Sequence, residues 1–382
     1  MENLIPYIKL IILALACLVT GVCTLSRKWY VNLPVFLICI AGETFMAYLF
    51  FPAYALWPAC GSVAIFAFST AWEHLKPSGR KENKSPIRLP VISGVPYRHL
   101  EFYYYYSNFL VYGGAGSGKT KSIGKWLLEE YIRLGFAGFI YDFKDVDYTQ
   151  TAYNLTKKYG YPHKFYYVSF DKPERSYRFN PLKVVKDRTE LMQLMEDVLL
   201  ALLPKGEKQN EWVAGGLGIL RGVAFRFWDE FPEYCTLPHI MAFIMTASTR
   251  QLSIFLQQNL VAEMMAGAYL KAEGSEKTQA SYLSTLCNNL STISQNEEIA
   301  YILSGDDFDF NLIDPEDPKL FAISNNFSKN SVYAPVIGML MSISTRQFTM
   351  QNKVPFVYFL DEMTTVNIKN FETLHSVLRE YK

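Results

Sequence analysis

The chain is short of charge at its beginning, short of histidine throughout, and without a surplus of either sign. Lys and Arg total 37 against 36 Asp and Glu, a formal net charge of +1, so bulk charge announces no nucleic-acid partner and any basic surface has to be local. The five histidines (His74, His99, His163, His239, His375) are scattered without ligand spacing, and none of the six cysteines forms a Cys-x-x-Cys pair. The common zinc and redox motifs are thereby excluded. Cys17, Cys23, Cys39 and Cys60 sit in the apolar N-terminal region and read as small packing residues of a reducing compartment.

What is present begins with that apolar region. Residues 1–72 hold only five charged side chains: Glu2, Lys9, Arg27, Lys28 and Glu43. A crossing needs about 20 apolar residues, and three candidate helices fit, at about 8–26, 31–50 and 54–72, with Phe51-Pro52 as the turn between the last two. Arg27 and Lys28 close the first segment. Lys76, Arg80, Lys81, Lys84, Arg88 and Arg98 follow the third. Keeping both clusters in the cytoplasm gives an outside N-terminus and three crossings. A cleaved signal peptide and a two-crossing anchor are the rivals. Glu43 inside a span is costly and is expected to face a helix partner. The expected organisation is an anchor over 1–75, a basic linker over 76–100, a nucleotide-binding part over 101–182, an all-α block over 183–305, and a second nucleotide-binding part over 306–382.

Asn108–Tyr112 reads as a short buried strand running into Gly113-Gly114-Ala115-Gly116-Ser117-Gly118-Lys119-Thr120, then into a helix from Lys121 to about Leu134. This is G-x-x-x-x-G-K-[ST] in strand–loop–helix context. Glycines let backbone N–H groups converge on phosphates, and the helix N-terminus favours their charge. Lys119 is expected on the β- and γ-phosphates of ATP, and Thr120 on Mg²⁺. The run Val354–Leu360 ends in Asp361-Glu362, with Asp361 to orient magnesium and Glu362 to polarise the attacking water. A third strand, Ala137–Tyr141, ends in Asp142-Phe143-Lys144-Asp145. The aromatic run Tyr103–Tyr106 reads as packing rather than base stacking.

The pattern turns helical from Asp187, which with Glu190 makes a capping-box-like start. Further helices are expected at 212–228, 237–247, 250–268, 276–294 and 332–348, with strand character at Leu320–Ile323. The fold class is therefore α/β, a RecA-like P-loop domain interrupted by an all-α insertion.

The anchor, the P-loop, Tyr141-Asp142-Phe143-Lys144, Phe179-Asn180-Pro181-Leu182, Phe359-Leu360-Asp361-Glu362 and Asn370-Phe371-Glu372 leading to Leu378-Arg379 together resemble the TraG/TraD-type coupling proteins of type IV secretion and conjugation, relatives of the FtsK/HerA ATPases. The resemblance implies a multi-pass protein of the cell inner membrane, six subunits around a channel, and single-stranded, relaxase-bound DNA delivered to the secretion channel. It also implies that Arg379 reaches a neighbour's nucleotide. A further strand and its glutamine are expected after Lys382, which suggests truncation or an interrupted gene. Two other readings stay open: a nucleotide-gated docking scaffold without efficient hydrolysis, and an FtsK-like translocase.

Overall fold

The computed structural model describes residues 29–50, 52–54, 56, 59–64, 86–91, 99–104, 108–114, 116–203, 210–348 and 354–368, together with Ile11 and Ala14. The chain divides into two units, Met1–Glu82 and Asn83–Lys382.

In the first unit, α1 (Trp29–Phe50) is followed by a 3₁₀ turn at Pro52–Tyr54 and by helical residues 59–64. Glu43 is buried, and the Ser62 hydroxyl donates to its Oε2 at 2.6 Å. The acid on one helix thus finds a partner on the next helical segment, as its cost demands. Among the described residues no helix is long and apolar enough to cross a membrane. The predicted 8–26 segment lies outside the described residues save Ile11 and Ala14, and of 54–72 helical structure is described only for Tyr54, the end of the 3₁₀ turn, and for 59–64.

The second unit opens with a two-stranded antiparallel pair, β1 (Ile87–Pro90) and β2 (His99–Phe102), with Leu89 opposite Leu100. The expected linker over 76–100 is corrected here, because Ile87, Leu89 and Phe102 bury one side of this pair against Leu127 and Tyr131. The remaining strands are β3 (Ala137–Asp142), β4 (Lys164–Ser169), β5 (Lys319–Ser324) and β6 (Phe356–Leu360), all parallel in the order β4-β5-β3-β6. Every residue of β3 and β5 is buried, which suits near-continuous apolar strands covered on both faces.

Alternation along β3 sorts the two faces. Ile140, with Leu320 and Ala322, packs on Leu128 and Ile132 of α2 (Lys125–Arg133) and on Ala152 and Leu155 of α3 (Asp147–Tyr159). Phe139 and Tyr141 turn to the opposite face, into one core with Phe179, Phe310, Leu194, Val198 and Met339. That core joins the sheet to α4 (Arg188–Leu202), α5 (Glu211–Glu230), α6 (Leu237–Thr246), α7 (Thr249–Gln257), α8 (Leu260–Met265), α9 (Gly267–Lys271), α10 (Glu276–Ser294), α11 (Glu297–Leu303) and α12 (Asn330–Thr345).

Polar caps set these boundaries. Asp187 Oδ1 accepts the Glu190 N–H at 2.9 Å, and Asn210 Oδ1 accepts from Trp212 and Val213 at 3.0 Å each. The expected single helix over 250–268 is broken into three. Asn259 causes the first break: its side chain accepts from Val261 and Ala262, restarting the helix as α8. The expected strand over Asn108–Tyr112 is also corrected. It has no ladder pairing; Phe109 and Val111 turn inward beside Val357 and Phe359, while Leu110 is 77% exposed and Tyr112 is 90% exposed.

Candidate nucleotide site

Lys119 of the P-loop acts on Asp361 at the carboxyl end of β6, the edge at which open α/β sheets bind ligands. Gly116 (φ +74°) and Gly118 (φ +84°) take left-handed conformations that a side chain would strain. Lys119 is already helical, and the chain continues as a π-type turn over Thr120–Gly124 before α2. The Lys119 ammonium donates to the carbonyls of Gly113 at 2.6 Å and Gly114 at 3.3 Å, so it lies over the loop. Ala115 lies outside the described residues.

Tyr148 of α3 lies close to Thr120, and burial chiefly pushes its hydroxyl up to about 12. The Tyr148 ring stands edge-on to Phe359 of β6, centroids 4.9 Å apart. One tyrosine thus stands between the turn that follows the P-loop and the strand that leads to the acids. Nothing in the sequence distinguished Tyr148 from the other 25 tyrosines.

The β3–β6 register pairs Tyr141 with Leu360, and the Asp361 N–H donates to the Tyr141 carbonyl at 3.0 Å. Asp142 and Asp361 thus end adjacent strands at one level. Asp142 is fully buried and its Oδ2 accepts the Thr149 N–H at 2.8 Å. Burial, the backbone donors notwithstanding, lifts its carboxyl to about 6, with the nearby Asp361 adding to the rise. Burial also lifts Asp361; Lys144 and Lys119 oppose the rise and Glu362 adds to it. One oxygen of each acid, Asp142 Oδ1 and Asp361 Oδ2, is buried without a hydrogen-bond partner. An orphaned carboxylate oxygen beside a P-loop threonine fits a hard divalent cation, which prefers oxygen ligands.

Glu362 adopts a left-handed backbone (φ +45°, ψ +52°), uncommon for a residue with a side chain and costing of order 1–3 kcal/mol. Its carbonyl accepts from the Thr365 N–H at 2.9 Å and the Thr365 hydroxyl at 2.7 Å. Thr365 Oγ1 lies 2.7 Å from the Tyr141 hydroxyl, to which Asn325 Nδ2 donates at 2.9 Å. The ends of β3, β5 and β6 are in this way held as one polar network. Of the residues singled out in the sequence, Lys119 and Glu362 act electrostatically on Asp361, Thr120 is linked to the same strand end through Tyr148, and Gly113 and Gly114 are tied to Lys119. Arg379 lies outside the described residues. Tyr148, Asn325 and Thr365 were not anticipated, because their roles depend on contacts distant in sequence.

The bacterial conjugative coupling protein TrwBdeltaN70, in an unbound monoclinic form, is similar at 18% identity and a TM-score of 0.50, over 66% of this chain and 55% of that one. The plasmid coupling protein TrwB in complex with the ATP analogue ADPNP is similar at 17% identity and a TM-score of 0.49, over 66% and 56%. The matched part spans little more than half of those solved chains, and at 18% identity the likeness to the first speaks for the α/β fold alone. No curated protein matches the chain. Residues 77–382, the whole of the P-loop, sheet and helical parts, match the family model described as type IV secretory system conjugative DNA transfer, and the chain belongs to that family.

Proposed function

We propose that this protein is a membrane-anchored ATPase that couples DNA, single-stranded and relaxase-bound, to a type IV secretion channel during conjugation or mobilisation. The observation that carries the proposal is the junction at the sheet edge: a glycine loop with positive φ at Gly116 and Gly118 opens a helix beside Asp361-Glu362. The solved relatives are coupling proteins, one in complex with ADPNP and another with ADP and Mg²⁺. ATP and magnesium are the corresponding ligands here.

In this assignment Gly113–Thr120 cradle the phosphates and Lys119 neutralises them. Thr120 and Asp361 hold magnesium, which withdraws charge from the phosphate oxygens when bound. Glu362 polarises water for attack, and Arg379 reaches the nucleotide of a neighbouring subunit in a homo-hexamer. The anchor places the protein in the inner membrane with its ATPase part in the cytoplasm.

Two variants test the chemistry. Lys119→Ala loses a charge-assisted phosphate contact worth about 1.5–3 kcal/mol, so ATP affinity or DNA-stimulated turnover falls at least about tenfold. Glu362→Gln keeps the shape but not the base; it binds Mg·ATP normally and its turnover falls by about 10²–10⁴. Unchanged affinity and turnover in folded Lys119→Ala would refute the phosphate site. Turnover near the wild-type rate in Glu362→Gln would leave Glu362 as an ordinary strand-end acid.

A further inference from the structure

The end of β3 carries a lysine for which nucleotide binding leaves no task. Lys144 follows Asp142 by two residues and reaches across to the neighbouring strand end, where its Nζ lies 4.0 Å from Glu362 Oε1. The backbone around it is tied down on both sides. The Asp361 N–H donates to the Tyr141 carbonyl at 3.0 Å and the Asn325 N–H to the Asp142 carbonyl at 2.8 Å. Glu362 is itself fixed at the main chain by Thr365, in the left-handed conformation that sets where its Cβ points. The backbone hold leaves the tip of the side chain undetermined, since a glutamate has three further rotatable bonds.

We propose that Lys144 is a positioning residue for ATP hydrolysis: its ammonium holds the Glu362 carboxylate in its working place, acting through Glu362 and not on the phosphates. The proposal rests on the ATPase assignment above. The geometry favours this role over a structural one. Both partners are solvent-accessible, with the Lys144 side chain 54% and the Glu362 side chain 36% exposed, and an ion pair this open contributes little to stability. It can nevertheless fix an orientation, and general-base efficiency depends on orientation. Lys119, which also acts on Asp361, is engaged with the loop carbonyls.

The test measures Mg·ATP affinity, by titration with a fluorescent ATP analogue, and DNA-stimulated turnover on the same full-length preparations. Lys144→Ala and Lys144→Met are expected to lower turnover about tenfold to a hundredfold while Mg·ATP affinity changes less than about threefold. Lys144→Arg restores turnover to within about threefold of wild type. In a Glu362→Gln background, Lys144→Ala causes no further loss, because the side chain it orients no longer acts as a base. A drop in Mg·ATP affinity matching the drop in turnover would overturn the proposal by making Lys144 a phosphate ligand. So would a full additional loss in the Glu362→Gln background, or unaltered turnover in both Lys144 variants. A wild type that binds no Mg·ATP removes the ATPase assignment itself, an outcome separate from these because it appears before any variant is made.

Discussion

Asp142 shows what the nucleotide site costs the folded state. Its carboxyl is fully buried, level with Asp361 and raised from 3.8 to about 6, first by burial and then by the neighbouring acid. A raised carboxyl holds its proton more tightly in the folded chain than in the unfolded one. The stability it contributes is therefore complete below about pH 4 and is lost as pH rises through about 6, by up to roughly 3 kcal/mol. Other acids, such as Asp171 beside Lys329, are lowered and act in the opposite direction. The difference between wild type and Asp142→Asn isolates the one group. Denaturation midpoints between pH 4 and 7 should fall relative to the variant as pH rises; parallel curves would mean that Asp142 is ionised throughout. Such a cost is reasonable where a cation is to be held, since the orphaned oxygens of Asp142 and Asp361 are what a hydrogen-bonded core would have avoided.

The first helix of the nucleotide site carries a similar conflict. Gly124 ends the π-type turn after the P-loop, and a Cβ there would lie 2.1 Å from the Tyr148 hydroxyl oxygen. In an open helix, Gly→Ala would gain about 0.5–1 kcal/mol. Here Tyr148 is 4% exposed and pressed against Phe359, so it has little room to yield. Overpacking of this kind costs about 1–3 kcal/mol and wins. Gly124→Ala should lower the denaturation midpoint and, by displacing Tyr148 beside Thr120, weaken Mg·ATP binding severalfold. A midpoint at or above wild type with unchanged binding would show that Tyr148 moves freely.

Local patterns made most elements readable in advance: the Asp187 cap, the apolar spacing of α4, and the uninterrupted apolar runs of β3 and β6. Elements that depend on distant partners were not readable. The polar stretch Asp147–Tyr159 is helical because one face packs on α2 and the sheet, and Lys164–Ser169 is a strand because β5 lies beside it. The site followed the same division. The glycine loop and the two acids are contiguous motifs, whereas Tyr148, Asn325 and Thr365 join it only through tertiary contacts.

At the scale of the whole molecule, the N-terminal unit raises the question of which way the chain faces. Its described part turns back on itself: α1 ends at Phe50, the 3₁₀ turn Pro52–Tyr54 follows, and Ser62 bonds to Glu43. A carboxyl in an apolar environment is tolerated only with donors at hand, and a hairpin supplies one from the returning segment. Leu37, Ile38, Phe45 and Leu49 remain exposed on the outer side of α1, an apolar surface that a lipid environment would cover. No described helix is by itself long and apolar enough to cross a membrane, so insertion rests on the charge pattern: with this hairpin inserted from the cytoplasmic side, Arg27 and Lys28 before it and Lys76, Arg80, Lys81 and Lys84 after it stay together in the cytoplasm. Reporter fusions after Arg27 and after Lys84 should then read cytoplasmic, and a fusion at Pro52 should read outside. Ser62→Leu, which removes a donor from Glu43 while adding apolar surface, should reduce the amount of membrane-inserted protein; Glu43→Gln combined with Ser62→Leu should recover part of it, because an amide costs less than a carboxylate to leave short of a donor. A cytoplasmic reading at Pro52 would refute the inserted hairpin and leave the exposed face of α1 to be covered by protein.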